Sequence, residues 1–288
     1  MSSLYYDQAL ALWKSFRNEV LYNHRFYPSH PVLDRLSTIA KHCELTVKEG
    51  RIYYRARIID DDALKEHMLG ICYGPGTTKE QNKWYHTKAN KFRGLSKEGS
   101  YVPQNPNLIR DGRTNAKFIR FLYMSESPTT AVFEVRPLVR SAVNVSGIEV
   151  KEQLKIANIA VDIDMDPRKE GKSMDEWLLS FIQSAFSSPT NNPDDYIPTQ
   201  IIAEHLRHLG YDGIRYSSSL HEGGFNLTVF DVAKCDAVFS TDMRLESMKM
   251  SLRPAIGAEN IDGRFQWIKD NVPMRMDPET GKLVKAEV

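Results

Sequence analysis

Cysteine is scarce. The 288 residues hold three, Cys43, Cys72 and Cys235, far apart and without a C-x-x-C pair or the Cys/His spacing of a structural zinc site. So odd and sparse a set excludes a disulfide framework and suggests free thiols in a reducing compartment. No run of about 18 apolar residues occurs, so no membrane span is predicted. The N-terminus, MSSLYYDQALALWKSFRNEV, lacks the basic flank and apolar run of a signal peptide, and the chain is read as cytoplasmic. A dominant charge is missing too: 38 Lys and Arg face 37 Asp and Glu, for a net charge of +1. Bulk attraction to nucleic acid or membrane is therefore not expected. There is no internal repeat.

What is present is an ordinary globular composition, with 41% hydrophobic and 26% charged residues, enough for a sizeable core without metal or disulfide staples. Leu10, Trp13, Phe16 and Val20 recur at helical spacing, as do Leu33, Leu36 and Ile39, with Pro28 and Pro31 between the two helices. Arg51–Ile59 (RIYYRARII) has strand composition. Residues 70–115 are Gly- and Pro-rich and read as a long loop serving a site. Strands are expected at Phe118–Met124, about 141–150, about 155–163, Gly213–Tyr216 and Asn226–Val232. Helices are expected after Ser127-Pro128, after the Ser173/Glu176 capping box, and over about Pro198–Leu209 with Gly210 as its stop. A short helix near Phe265–Ile268 is the one feature foreseen in the tail. Strands and helices in mixed order, without regular βαβ alternation, argue an α+β fold with a mixed sheet. The division expected is a helical N-terminal extension at 1–48, a core domain at 49–250 and a tail at 251–288.

Three segments put polar groups at element ends: Gly112-Arg113-Thr114-Asn115; Leu122-Tyr123 followed by Thr130-Ala131-Val132-Phe133-Glu134-Val135-Arg136-Pro137; and Asp212-Gly213-Ile214-Arg215-Tyr216-Ser217-Ser218-Ser219 with Gly223, Gly224 and Asn226 beyond. In that order and spacing they closely resemble the RES-domain family, over about Tyr53–Asp231, and Asn23–Phe26 is similar to its longer members. The resemblance implies an ADP-ribosyltransferase-like core that degrades NAD⁺ by hydrolysis or phosphorolysis, or transfers ADP-ribose to a protein. It also implies a toxin restrained by a cognate antitoxin, as in many members, with an Xre-like partner expected by family analogy. The family's functional residues fall on Arg113, Tyr123, Glu134 and Ser218, and its early-strand arginine on Arg55. Short members carry Trp where Thr114 stands here, and the run Ser217–Ser219 leaves the serine ambiguous by one.

These residue types suit that chemistry. Breaking the nicotinamide–ribose bond develops positive charge on the ribose, as in glycoside cleavage, and a fixed carboxylate such as Glu134 stabilises it. Guanidinium groups grip pyrophosphate with charge-assisted hydrogen bonds, a role for Arg113 and Arg55. Tyr123 suits packing against nicotinamide, Ser218 suits hydrogen bonding to ribose or amide, and Asn226 is a further binding candidate. NAD⁺ is then the substrate, and no metal is needed.

Plainer readings stand beside these. Glu134 pairs with Arg136 on the surface; Arg113 is a solvated loop residue; Arg55 is structural, with Arg57 close by; Tyr123 belongs to the core; Ser217–Ser219 form a turn; Asn226 caps a loop. Arg17, Asn18 and His24 match a loose HEPN-ribonuclease pattern that an amphipathic helix produces by chance. Gly74-Pro75-Gly76 reads as a turn, not a phosphate loop. His205 and His208 read as a solvated helix face. A non-catalytic nucleotide-sensing or interaction module is the alternative of another class.

Overall fold

The computed structural model describes residues 2–26, 28–73, 91–160, 172–188, 190, 192–252, 267–277 and 279–286, with the backbone alone at 2–3 and 69–73. Gly74-Pro75-Gly76 and residues 161–163 of the expected strand lie outside these. The chain forms two bodies: Met1–Pro137 with Ser141–Met243, and Leu138–Arg140 with Arg244–Val288.

In the first body, helix α1 (Ser2–Asn18) runs through a π turn (Glu19–Asn23), and α2 (Pro31–His42) follows. Ala9, Trp13, Phe16 and Val20 form the buried stripe of the first helix; Val32, Leu33, Leu36, Ile39 and Ala40 form that of the second. Strand β1 (Glu44–Val47), β2 (Ile52–Ile59) and α3 (Asp61–Tyr73) come next, then β3 (Phe92–Arg93) and the short α4 (Lys97–Ser100). The expected loop at 70–115 thus contains ordered pieces. Weak periodicity hid them because they are short.

β4 (Leu122–Ser125) starts later than the expected strand at Phe118. Phe118 takes φ 73, and Lys117 N donates to Asp111 Oδ1, so residues 109–118 close a loop on themselves before the strand begins. α5 (Pro128–Glu134), capped by Ser127, ends at Glu134 with Val135 as its C-cap, and Arg136 beyond, at a left-handed φ of 51, turns the chain before Pro137. β5 (Ala142–Val150), β6 (Leu154–Asn158), α6 (Met174–Ser187), α7 (Ile197–His208), β7 (Gly213–Ser217), β8 (Phe225–Val229) and β9 (Cys235–Arg244) complete this body. The capping box of α6 forms as expected: Glu176 N donates to Ser173 Oγ, and Ser173 N to Glu176 Oε2. Gly210, at φ +83, ends α7. β8 stops at Val229, short of the expected 232, because Val232–Lys234 turn into a 3-10 helix.

The strands form one sheet in the order β1-β6-β7-β8-β4-β2-β5-β9-β3. β6–β7 and β3–β9 are parallel; β1–β6, β2–β4, β2–β5, β4–β8 and β7–β8 are antiparallel. The fold is α+β with a mixed sheet and N-terminal helices, as the element order predicted. Strand alternation separates the cores. In β6, Ile156 joins Leu122, Ile148 and Leu227 in one cluster, while Ala157 joins Ile214 and the helices α1, α2, α6 and α7 in another. Tyr6 meets Trp177 edge-on at 5.1 Å, so the first helix packs directly on α6.

The second body carries a three-stranded antiparallel sheet of β10 (Trp267–Lys269), β11 (Val272–Met276) and β12 (Leu283–Lys285). The short helix expected at 265–268 is corrected here: Trp267 and Ile268 are strand, and Phe265 lies outside the described residues. Asp270 and Asn271, at φ 50 and 67, make the tight turn that pairs β10 with β11.

Candidate active site

The sheet brings β2, β4, β7 and β8 side by side, with α5 across them. A cleft of about 250 Å³ opens at this junction, lined by Arg55, Tyr123, Ser125, Glu134, Tyr216 and Asn226 among others. Glu134 is placed by α5. Ala131 is buried against Ala56, Val143 and Val145, and residue 134 lies one turn further along the same helix face.

One oxygen of Glu134 is held from two sides. Ser218 Oγ donates to Oε1 at 2.6 Å, and Asn226 Nδ2 donates to the same atom at 2.8 Å. Asn226 is oriented in turn by Ser125 Oγ, which donates to its Oδ1 at 2.7 Å. Ser218 Oγ accepts the N–H groups of Leu220 and His221, each at 3.1 Å. Its hydrogen-bonding capacity is filled, and as placed Ser218 orients Glu134. Of the three serines, Ser217 Oγ accepts from Gln183, and Ser218 Oγ reaches Glu134. The surface pairing of Glu134 with Arg136 is not formed. Among the described residues Glu134 Oε2 carries no partner.

Tyr123 stands at the junction of loop and cleft. Its hydroxyl donates to Asn115 Oδ1 at 2.6 Å and accepts from Thr114 N at 3.0 Å and Thr114 Oγ1 at 2.7 Å. Burial pushes its pKa up to about 12 against the opposing pull of the Thr114 hydrogen bonds. Thr114 and Asn115 are buried, so this cluster ties the GRTN loop to β4. Gly112 is required there, since a Cβ would sit 2.5 Å from the Tyr123 hydroxyl. Tyr216, also in the cleft wall, is raised by burial first and then by Tyr123.

The two arginines part company. Arg55 lines the cleft, and its Nη1 donates to the carbonyls of Tyr101 (2.9 Å) and Ser100 (3.3 Å). Arg57 Nη2 donates to the same Tyr101 carbonyl at 2.7 Å. Burial, and then the like charge of Arg57, disfavour the charged form of Arg55. No carboxylate pairs with either among the described residues. A desolvated cation pair with only carbonyl partners attracts an anion. Arg113, by contrast, is not in the cleft lining. Its Nη1 donates to the Ala185 carbonyl at 3.4 Å, and its guanidinium lies 5.7 Å from the centre of the Tyr196 ring.

Two residues missed by sequence reasoning support the site. His221 Nδ1 is 2.9 Å from Thr130 Oγ1 and its ring stacks on Phe133 at 5.1 Å, tying the Ser218 loop to α5. Ser125 was legible as the second residue from Tyr123 on the same strand face. His205 Nε2 meets Ser37 Oγ at 2.9 Å, a helix–helix contact where a solvated face was expected, and no cluster of metal-ligating residues exists among the described ones. Among the described residues no helix is long and apolar enough to cross a membrane.

The chain is similar to a solved structure described as the M. tuberculosis MbcT-MbcA toxin-antitoxin complex, at 14% identity and a TM-score of 0.37, covering 73% of this chain and 92% of that one. A search of curated proteins finds no match. The RES domain model matches residues 83–248, more than half the chain. That segment holds Arg113, Tyr123, Glu134, Ser218 and Asn226, while Arg55 enters the cleft from outside it. The chain belongs to the RES domain family.

Proposed function

We propose that this protein cleaves NAD⁺ at the bond between nicotinamide and ribose, with water or phosphate as acceptor. The observation that carries the reading is Glu134: a carboxylate in a cleft wall, fixed through one oxygen by Ser218 and Asn226, with the other oxygen open. As the nicotinamide leaves, the ribose becomes oxocarbenium-like, and a carboxylate already oriented stabilises that charge without reorganising. Tyr123 and Tyr216 give the ring an aromatic wall. Arg55, short of anions, meets an anionic oxygen of the substrate or of an attacking phosphate. Membership of the RES domain family supports the same reading and extends it to a toxin that drains NAD⁺ and is restrained by an antitoxin partner.

The test is nicotinamide release from NAD⁺ by the purified chain, with and without phosphate, beside Glu134→Gln. Release by the wild type alone is expected, and its phosphate dependence names the acceptor. Label from NAD⁺ appearing on protein without free turnover would redirect the reading to an ADP-ribosyltransferase. Neither release nor NAD⁺ binding would leave a non-catalytic module. In a bacterium, induction of the wild type should arrest growth and Glu134→Gln should not.

A further inference from the structure

A second pocket, of about 400 Å³, lies in the same body between α1, α6 and the start of α7. It is larger than the cleft, and the proposed function does not use it. Its walls divide by chemistry. Leu10, Trp13, Phe181 and Pro198 supply an apolar side with two aromatic rings; Lys14, Arg17, Ser184, Ser188 and Asp195 supply a polar one. Lys14 and Arg17 sit three apart on α1, hence on one face.

The donors here are under-used. Lys14 Nζ has no hydrogen bond or ion pair among the described residues. The Trp13 indole makes no hydrogen bond among the described residues, and its Nε1 is not a buried orphan. Arg17 reaches Asp195 only at 3.8 Å, with both side chains nearly half exposed. Asp195 is itself engaged by Thr190 Oγ1 at 2.7 Å. Two cations and one carboxylate, which Thr190 already engages, leave an unbalanced positive charge beside aromatic walls. That combination recognises an anion bearing a ring, the character of a nucleoside monophosphate.

Arg113 links this pocket to the cleft. It donates to the carbonyl of Ala185, a residue of the pocket wall, and lies over Tyr196, next to the wall residue Asp195. On the other side it adjoins Thr114, whose N–H and hydroxyl both donate to the Tyr123 hydroxyl in the cleft wall. Size points the same way. Pockets for whole small ligands run to about 300–1,000 Å³, and the cleft's 250 Å³ holds only part of a dinucleotide.

We infer that the pocket between α1 and α6 is an adenylate subsite. It takes the adenosine-phosphate half of the dinucleotide whose nicotinamide half occupies the cleft, with Arg113 at the pyrophosphate between them. The inference rests on the NAD⁺ reading for the identity of the whole ligand, and on the pocket alone for its adenylate. It gives α1, which lies outside the matched RES segment, a part in substrate binding.

The test uses the full chain and adenosine 5′-monophosphate, titrated calorimetrically. Saturable binding is expected, weakened at least tenfold in Lys14→Ala/Arg17→Ala and unchanged in Glu134→Gln. Both altered side chains are exposed, so the fold is not at risk. No binding, or equal binding by wild type and double variant, overturns the inference. Competition against NAD⁺ separates the sources of the adenylate. Mutual exclusion, with KM for NAD⁺ raised about tenfold and cleavage of nicotinamide mononucleotide untouched in the double variant, supports the substrate half. Binding without competition means a free-nucleotide site and overturns the link to the cleft. A wild type that binds adenylate through Lys14 and Arg17 yet never releases nicotinamide refutes the cleavage reading and leaves the pocket assigned.

Discussion

The Glu134 cleft and the α1–α6 pocket share one body and hold similar polar groups in opposite states of commitment. In the cleft the groups around Glu134 Oε1 and the Tyr123 hydroxyl are committed to one another. Glu134 Oε1 receives two donors, Ser218 Oγ makes three hydrogen bonds, and the Tyr123 hydroxyl makes three. In the pocket Lys14 and the Trp13 indole make none among the described residues, and the Arg17–Asp195 contact is long and wet. Charge that develops during a reaction is best met by dipoles already fixed. A group that only grips a non-reacting part of a ligand meets no such demand, and ordering it on binding costs about 0.5–1.5 kcal/mol per side chain. On the proposed function, the contrast suits the cleft to chemistry and the pocket to affinity.

Glu134→Gln is the strongest way to break this contrast. It keeps the shape, removes the charge, and should lower nicotinamide release on the order of 10²–10³-fold. A glutamine variant with wild-type turnover would mean that the cleft's order serves the fold and not a reaction. Ser218→Ala comes next. It removes a donor from Glu134 and strands the N–H groups of Leu220 and His221. A hydrogen bond to a charged group is worth about 1.5–3 kcal/mol, so kcat should fall roughly ten- to a hundredfold with KM for NAD⁺ little changed. A rise in KM alone would show Ser218 on the substrate after all. Tyr123→Phe should act on stability first. Asn115 and Thr114 lose a shared buried partner, and unfolding in denaturant should show a loss of about 1–3 kcal/mol. An unchanged midpoint would show that the GRTN loop is held by Gln200, which donates to the carbonyls of Gly112 and Asn115.

The same contrast explains what the sequence disclosed. Residues fixed by local rules were legible: the capping box of α6, the Ser127 cap and Pro137 stop around α5, Gly210 after α7, and the β-forming composition of β2. The site motifs were legible because the three segments lie at ends of adjacent strands and helices. What escaped depended on pairing across long separations. β9 is ten residues whose CDAVFSTDMR burial only partly alternates, and it is strand because it pairs between β5 and β3. β10 and β11 were hidden by an Asp270-Asn271 turn, which takes left-handed φ without the glycine that usually announces it. The role of Ser218 escaped for the same reason. Sequence named the residue type, but only the 2.6 Å contact to a residue 84 positions earlier shows that its hydroxyl is spent on Glu134. The α1–α6 pocket carried no motif at all. Arg17 drew attention through a chance ribonuclease-like pattern, and its structural context is a different one.

The smallest expected effect is also the sharpest control. Lys14→Ala/Arg17→Ala should leave stability within about 0.5 kcal/mol of wild type, read from the thermal midpoint without ligand. Lys14 has no partner to lose among the described residues. The Arg17–Asp195 pair is 3.8 Å apart, with side chains 45% and 44% exposed, and pairs so exposed contribute little. The apolar stripe of Ala9, Trp13, Phe16 and Val20 that seats α1 is untouched. Adenylate should then raise the midpoint of the wild type and not of the double variant, because a ligand stabilises only the state that binds it. A ligand-free drop of several degrees would mean that Lys14 and Arg17 hold α1 in place, and the pocket's open donors would have to be read as fold, not affinity.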